Sequence, residues 1–232
     1  MKRAGPPRAV VFDLDGTLLD SLPLVLEAIA HAIEPYGRRP TMEIFALLGG
    51  PPERFLPALL TDLRDAPIAL QRMEAYHRQN SHLIRPFDGA AQLLGRLARG
   101  GVRLAVWTGR DRASADGLLR RHGLYGFFSA IVCGDDLPTH KPDPAGLREI
   151  MRRLDVTAAD TVMVGDADVD VLGGAASGVD TLLIRHGREV EGPIAAKCWR
   201  SVASPTEAFD LVLRSVELAP EPGNKPGDTL EK

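Results

Sequence analysis

Asp13-Leu14-Asp15-Gly16-Thr17 directly follows the apolar run Ala9-Val10-Val11-Phe12 and brings together two carboxylates, a glycine and a hydroxyl. Side chains alternate along a strand, so Asp13 and Asp15 start on the same side. Two carboxylates that close repel each other unless a cation or a proton-transfer role holds them. Asp13 is the candidate nucleophile: a carboxylate that attacks a phosphoryl group gives an aspartyl phosphate and splits one difficult step into two. Asp15 is the candidate acid–base, protonating the leaving oxygen and then deprotonating the attacking water. Each has a plainer reading, a cap or turn aspartate for Asp13 and an Asx-turn ahead of Gly16 for Asp15.

Three further groups carry chemistry. Thr108-Gly109 offers a hydroxyl and an unhindered backbone N–H to a phosphate oxygen. Arg110, next to it, is either another phosphate contact or a solvated arginine. Only Lys141 and Lys197 lie away from the chain ends, in a sequence that otherwise uses arginine for positive charge. A lysine kept there points to a compact ammonium where a guanidinium would not fit, with the Asp13 carboxylate and phosphoryl oxygens as partners; the alternative is a solvated loop lysine. Gly165-Asp166-Ala167-Asp168-Val169-Asp170 is an acidic cluster without Cys or His, which suits a hard cation. Mg²⁺ is the best match for two carboxylates, a carbonyl, waters and a substrate phosphate. Asp166 and Asp170 are four apart and are expected on one helix face. Asp168 is more simply a first-turn residue favoured by the helix dipole. The histidines His31, His77, His82, His122, His140 and His186 show no metal spacing and read as structural, although His140 is beside Lys141.

Something must bring residues over a hundred apart together. Four segments share one plan, a short β-rich apolar run followed by polar residues and a helical pattern: Val10 to Phe12, Leu104 to Trp107, Ile131 to Cys133 and Val162 to Val164. Repeated strand–helix alternation predicts an α/β fold with a parallel sheet, in which ligands bind beyond the carboxyl ends of the strands. Asp13, Thr108 and Asp166 all fall at such ends. Gly100-Gly101 stops a helix that buries Leu93, Leu94 and Leu97, and Asp143-Pro144 starts another. Between Ser21 and Arg85 the strand pattern vanishes. Ser21 is expected to cap a helix closed by Pro35 and Gly37, with further helices over Thr41 to Leu48 and Pro67 to His82. The predicted organisation is a core of residues 8–20 and 86–216, a helical cap of 21–85 inserted after the first strand, and a disordered tail of 217–232.

The 232 residues are enough for one core with a sizeable insertion, and 44% hydrophobic content supports a packed interior. A net charge of -3 argues against nucleic acid or an anionic membrane as a partner. Cys133 and Cys198 lack the spacing of a zinc site, and no stretch has the length of a signal peptide core or a membrane span. A cytoplasmic protein is expected.

With these residues in place, the chain resembles the haloacid dehalogenase superfamily, in the branch with a helical cap after the first motif. Asp13 to Thr17 matches its first motif, Thr108 the second, Lys141 in His140-Lys141-Pro142-Asp143-Pro144 the third, and Gly165-Asp166 with Asp170 the fourth. The resemblance implies a Rossmann-like parallel sheet core with a mobile cap, and Mg²⁺ held by the Asp13 side chain, the Asp15 carbonyl and Asp166, with Asp170 supporting the metal site. An aspartate at position 15 is kept in the phosphatases and phosphomutases of this superfamily. Two positions depart from the pattern: Gly109-Arg110 replaces a commoner Asn-Lys-like pair, and Ala167 a frequent Ser or Thr. Related enzymes touch the leaving group with a cap loop, which makes Arg54, after Gly49-Gly50-Pro51-Pro52, the candidate for recognising a carboxylate or second phosphate. The implied activity is Mg²⁺-dependent hydrolysis of a small phosphorylated metabolite, most like the phosphoglycolate phosphatases. The competing readings are a phosphomutase, an inorganic pyrophosphatase and a catalytically idle binding protein.

Overall fold

The computed structural model describes residues 5–37 and 52–216. Its centre is β1 (Ala9–Phe12), whose four apolar side chains are buried on both faces, as a central strand of a parallel sheet requires. The chain continues through β2 (Leu19–Asp20), α1 (Leu22–Ile33), α2 (Pro52–Phe55), α3 (Ala66–Asn80) and β3 (Arg85–Pro86). The core then resumes with α4 (Ala90–Arg99), β4 (Arg103–Trp107), α5 (Arg112–Arg121), β5 (Ala130–Val132) and α6 (Ala145–Leu154). It ends with β6 (Thr161–Gly165), α7 (Asp168–Ser177), β7 (Asp180–Ile184), α8 (Gly192–Ala195), β8 (Arg200–Val202) and α9 (Pro205–Ser215).

Six strands form one sheet in the order β5-β4-β1-β6-β7-β8, and every pair in it is parallel. Numbered within that sheet alone, the order is 3-2-1-4-5-6, that of a doubly wound nucleotide-binding fold. The direction of winding reverses at β1, so the crevice beyond β1 and β6 is where such a fold places its ligand. Alternating side chains divide the core into two layers. Val10, Phe12, Leu104 and Val106 pack with α4, α5 and α9, while Ala9, Val11, Ala105 and Trp107 pack with α6 on the other face. The predicted α/β class and the Gly100 stop after Leu93, Leu94 and Leu97 are as expected. Helix α6 begins one residue later than predicted, with Asp143 Oδ1 accepting the Ala145 N–H at 2.9 Å.

The segment between β2 and β3 has its own apolar cluster. Ala28, Ile29, Ala32 and Ile33 of α1 face Ala69 and Met73 of α3, with Phe55 and Leu56 between them. The two strands leading into and out of it pair antiparallel, Leu19 with Pro86 and Asp20 with Arg85. The expected helix over Thr41 to Leu48, the Gly49-Gly50-Pro51 turn, the side chain of Arg54 and the tail of 217–232 lie outside the described residues. One expectation is corrected. Ser21 precedes α1 but its side chain makes no cap hydrogen bond. Pro23 has no N–H to offer there, and the Ser21 hydroxyl instead donates to the Asp15 carboxylate.

Candidate active site

Asp13 emerges from β1 with its N–H bonded to the Val164 carbonyl at 2.8 Å, which locks the ends of β1 and β6 side by side. The Lys141 ammonium reaches Asp13 Oδ1 and Asp170 Oδ1, each at 2.6 Å, and is itself 3% exposed. It also sits 5.0 Å from the centre of the Trp107 ring. Asp170 has its other oxygen on the Ala167 N–H at 3.0 Å, closing the first turn of α7. Ligand atoms of Asp13, Asp166 and Asp170 lie within 4.8 Å of one another. The route differs from the expected shared helix face, because Asp166 precedes α7 and only Asp170 is within it. The strand-to-helix turn, not helical spacing, aims both carboxylates at Asp13.

Gly16 makes this crowding possible. Its φ is +73°, and a Cβ there would fall 2.4 Å from Asp166 Oδ2, so both the backbone and the carboxylate demand glycine.

The electrostatics follow from burial. Desolvation pushes the Asp13 carboxyl up to about 7, with Lys141 pulling it back and Asp170 and Asp15 adding to the rise. Asp166 is raised well above the ordinary value by burial, then by Asp13 and Asp170. Burial alone would lower the Lys141 ammonium, but Asp13 and Asp170 outweigh it and hold the charge. The cleft therefore carries more anionic groups than its cations satisfy. An all-oxygen donor set of this kind fits a hard divalent cation, with Asp13 and Asp166 the carboxylates best placed to hold it. Asp170, engaged at both oxygens, is better described as the anchor of Lys141.

On the other side of the cleft, Asp15 is engaged by a guanidinium. Arg110 donates from Nε to Asp15 Oδ2 at 2.6 Å and from Nη2 to Oδ1. Burial would raise Asp15, yet Arg110 and the Ser21 hydroxyl bring it below the ordinary carboxylate value. Arg110 Nη1 lies 3.2 Å from His77 Nε2 on α3 and 3.2 Å from Ser114 Oγ. Burial and the neighbouring Arg110 lower His77 to about 4, so its ring is neutral near pH 7 and accepts the Arg110 N–H. Thr108, 2% exposed at the end of β4, accepts the Arg110 N–H at Oγ1, which leaves its own proton free for another acceptor. Gly109 lies between them in the same turn.

The fold places the candidates Asp13, Asp15, Thr108, Gly109, Lys141, Asp166 and Asp170 in the loops and the first turn of α7 beyond the sheet. Arg110 is not the solvated arginine of one of its two readings, being paired with Asp15. Ser21 and His77 were read as a cap and a structural histidine. His186 and Arg188 were missed as well. His186 Nε2 meets the Gly16 carbonyl at 2.6 Å, and Arg188 donates to the Asp166 carbonyl at 3.0 Å and to Asp168 Oδ1 at 2.6 Å. Both follow β7, and the apolar run Thr181 to Ile184 ahead of them was the available signal.

The phosphoglycolate phosphatase (plasmid) of Cupriavidus necator is 35% identical over 225 residues, covering 93% of this chain and 96% of that one. The pyrophosphatase PpaX of Halalkalibacterium halodurans is 34% identical over 76% of this chain and 83% of its own. The crystal structure of a hydrolase from Pseudomonas syringae shares the fold, with a TM-score of 0.76 at 22% identity over 90% of this chain and 99% of that one. A family model described as haloacid dehalogenase-like hydrolase matches residues 10–184. That match runs from within β1 to the end of β7 and takes in Asp13, Asp15, Thr108, Lys141, Asp166 and Asp170, so the chain belongs to the haloacid dehalogenase-like hydrolases.

Proposed function

We propose that this protein is a cytoplasmic, Mg²⁺-dependent phosphatase of a small phosphorylated metabolite, with a phosphoglycolate-like ester as the leading substrate. The observation that carries the reading is the Lys141 ammonium shared by Asp13 and Asp170 at 2.6 Å each, deep in a cleft at the switch point of the sheet. It holds one oxygen of Asp13 and leaves Oδ2 outside that contact, the arrangement a carboxylate nucleophile needs. The relatives named as phosphoglycolate phosphatases support the substrate class.

Asp13 attacks phosphorus, and the bond to the leaving oxygen breaks as the aspartyl phosphate forms. Asp15, an ionised carboxylate while Arg110 holds it, first takes up a proton from solvent or from the substrate's phosphate monoanion and passes it to that oxygen. The carboxylate so restored takes a proton from the water that attacks the aspartyl phosphate, releasing phosphate and restoring Asp13. Lys141 orients Asp13 and balances charge on the transferred group. The Thr108 hydroxyl and the Gly109 N–H receive phosphate oxygens. Asp13, the Asp15 carbonyl and Asp166 would hold Mg²⁺, with Asp170 in support, and the ion when bound neutralises negative charge on the phosphoryl group. Residues 21–85 serve as the cap over this cleft, with the core formed by 8–20 and 86–216, and Arg54 is retained as a cap contact to substrate.

Phosphate release from a panel of phosphoglycolate, pyrophosphate, a hexose phosphate and phenyl phosphate tests the reading. Release is expected to need a divalent cation, to be best with Mg²⁺, and to fall on the order of 10⁴-fold or more in Asp13→Asn. Turnover that resists chelation, or an Asp13→Asn protein near the wild-type rate, overturns it.

A further inference from the structure

Arg110 lies in the turn between β4 and α5, and its whole side chain is committed. Two nitrogens face the oxygens of Asp15, the third faces Ser114 Oγ and His77 Nε2. Its backbone is pinned as well, with the N–H on Thr108 Oγ1 and the carbonyl accepting from Gly134 N at 2.6 Å. A Cβ at Gly134 would stand 2.3 Å from the Gly109 carbonyl oxygen, so only glycine lets the turns after β4 and β5 meet this closely. The guanidinium is thus built into the cleft. It stands against Asp15, the group that the proposed reaction brings to the leaving oxygen.

This pairing has a consequence for the reaction. The carboxyl group that must reach the leaving oxygen is occupied at both oxygens by a rigid fork, and bidentate guanidinium–carboxylate pairs are among the strongest and most geometry-specific contacts. The Arg110 and Asp15 side chains keep 10% and 23% exposure, so a group in the cleft can reach the fork. An uncharged leaving group offers the fork nothing in exchange. A carboxylate or a second phosphoryl group presents the same two-oxygen acceptor that Asp15 does. Resting on the phosphatase reading above, we propose that Arg110 selects the leaving group: it passes from Asp15 to an anionic group on the leaving half of the substrate, and that exchange frees Asp15 to reach the leaving oxygen. Ser114 and the neutral His77 ring steady the guanidinium through the exchange, which ties the selection to the cap side of the cleft. The substrate class is then a phosphate ester or anhydride whose leaving group is itself an anion.

The test compares kcat/KM for 2-phosphoglycolate and for phenyl phosphate in the Mg²⁺-loaded wild type, Arg110→Lys and Arg110→Ala. Wild type is expected to favour phosphoglycolate. That preference is expected to shrink by about tenfold or more in Arg110→Lys, which keeps the charge and loses the fork, and further in Arg110→Ala. Arg110→Lys keeps the test open if the alanine variant does not fold. Equal losses on both esters would make Arg110 a positioning residue for Asp15 alone and overturn the selection, as would an unchanged preference in Arg110→Lys. A wild type that releases phosphate from neither ester overturns the phosphatase reading, a result distinct from either.

Discussion

The two sides of the cleft are built in opposite ways. On one side, Asp13, Lys141, Asp166 and Asp170 come from the loops and the first turn of α7 around one sheet, and the ammonium that joins Asp13 to Asp170 is sealed from solvent. On the other, Asp15 is held by Ser21 at the entrance to the helical segment and by Arg110, which in turn touches His77 on α3. The first side is a rigid electrostatic fixture of the core. The second reports on how the helical segment sits against that core. The proposed reaction, which places Asp13 the same way each time while its leaving group changes position at Asp15, would be served by this division.

Asp15→Asn probes the second side most severely. Loss of a positioned acid–base lowers the rate by about two to four orders of magnitude, and the amide keeps the volume and one acceptor for Arg110. The comparison fails if phosphate release in that variant stays near wild type, because Asp15 would then have no proton to move.

Lys141→Met tests the first side. Removing one partner of a buried pair leaves Asp13 and Asp170 facing each other, and the expected cost is about 3–5 kcal/mol in metal-free denaturant unfolding. Lys141→Arg is expected to fold better yet remain badly impaired in turnover, since a planar guanidinium cannot take the place of an ammonium between two carboxylates. A Lys141→Arg protein with normal turnover would show that side of the cleft to be less rigid than it looks.

The smaller effects belong to the cap side. His77 is lowered to about 4 in the fold against 6.5 for an ordinary histidine, so the unfolded chain binds its proton first as the pH falls. The His77 contribution to stability is therefore lost as the pH drops from about 6.5 to about 4 and is fully present above that window, while Asp13, raised to about 7, and Asp166 contribute with the opposite sign as the pH falls. The difference in stability between wild type and His77→Gln, measured at several pH values between 7 and 4, should therefore change as the pH falls; a difference that stays constant would show that His77 is solvated. Ser21→Ala removes one hydroxyl from Asp15 and is expected to cost about 1 kcal/mol. Unfolding and steady-state kinetics together measure it, and a loss as large as that of Asp15→Asn would make Ser21 the principal holder of Asp15.

Much of the first side was legible in the amino-acid order and little of the second. Asp13, Thr108 and Asp166 each follow an apolar run whose end marks a strand terminus, and parallel strands bring such termini together whatever the loops between them do. That logic is local, so Asp13, Thr108 and Asp166, far apart along the chain, could be assigned to one crevice without knowing a single contact. The same reading went astray where a side chain had several acceptable partners. Ser21 stands where a helix cap belongs, yet a proline in the first turn and a carboxylate within reach decided its bond. Arg110 reads as any surface arginine until the fold puts Asp15 in front of its fork, and His77 sits on a helix whose packing against α1 sets which way its ring points. The order of residues determined the sheet, the strand ends and the acids gathered there, because periodicity and turn chemistry act over a few residues. Which acid Arg110 and the Ser21 hydroxyl meet was decided by tertiary structure alone, since a charge or a hydroxyl carries no address until packing limits what it can reach.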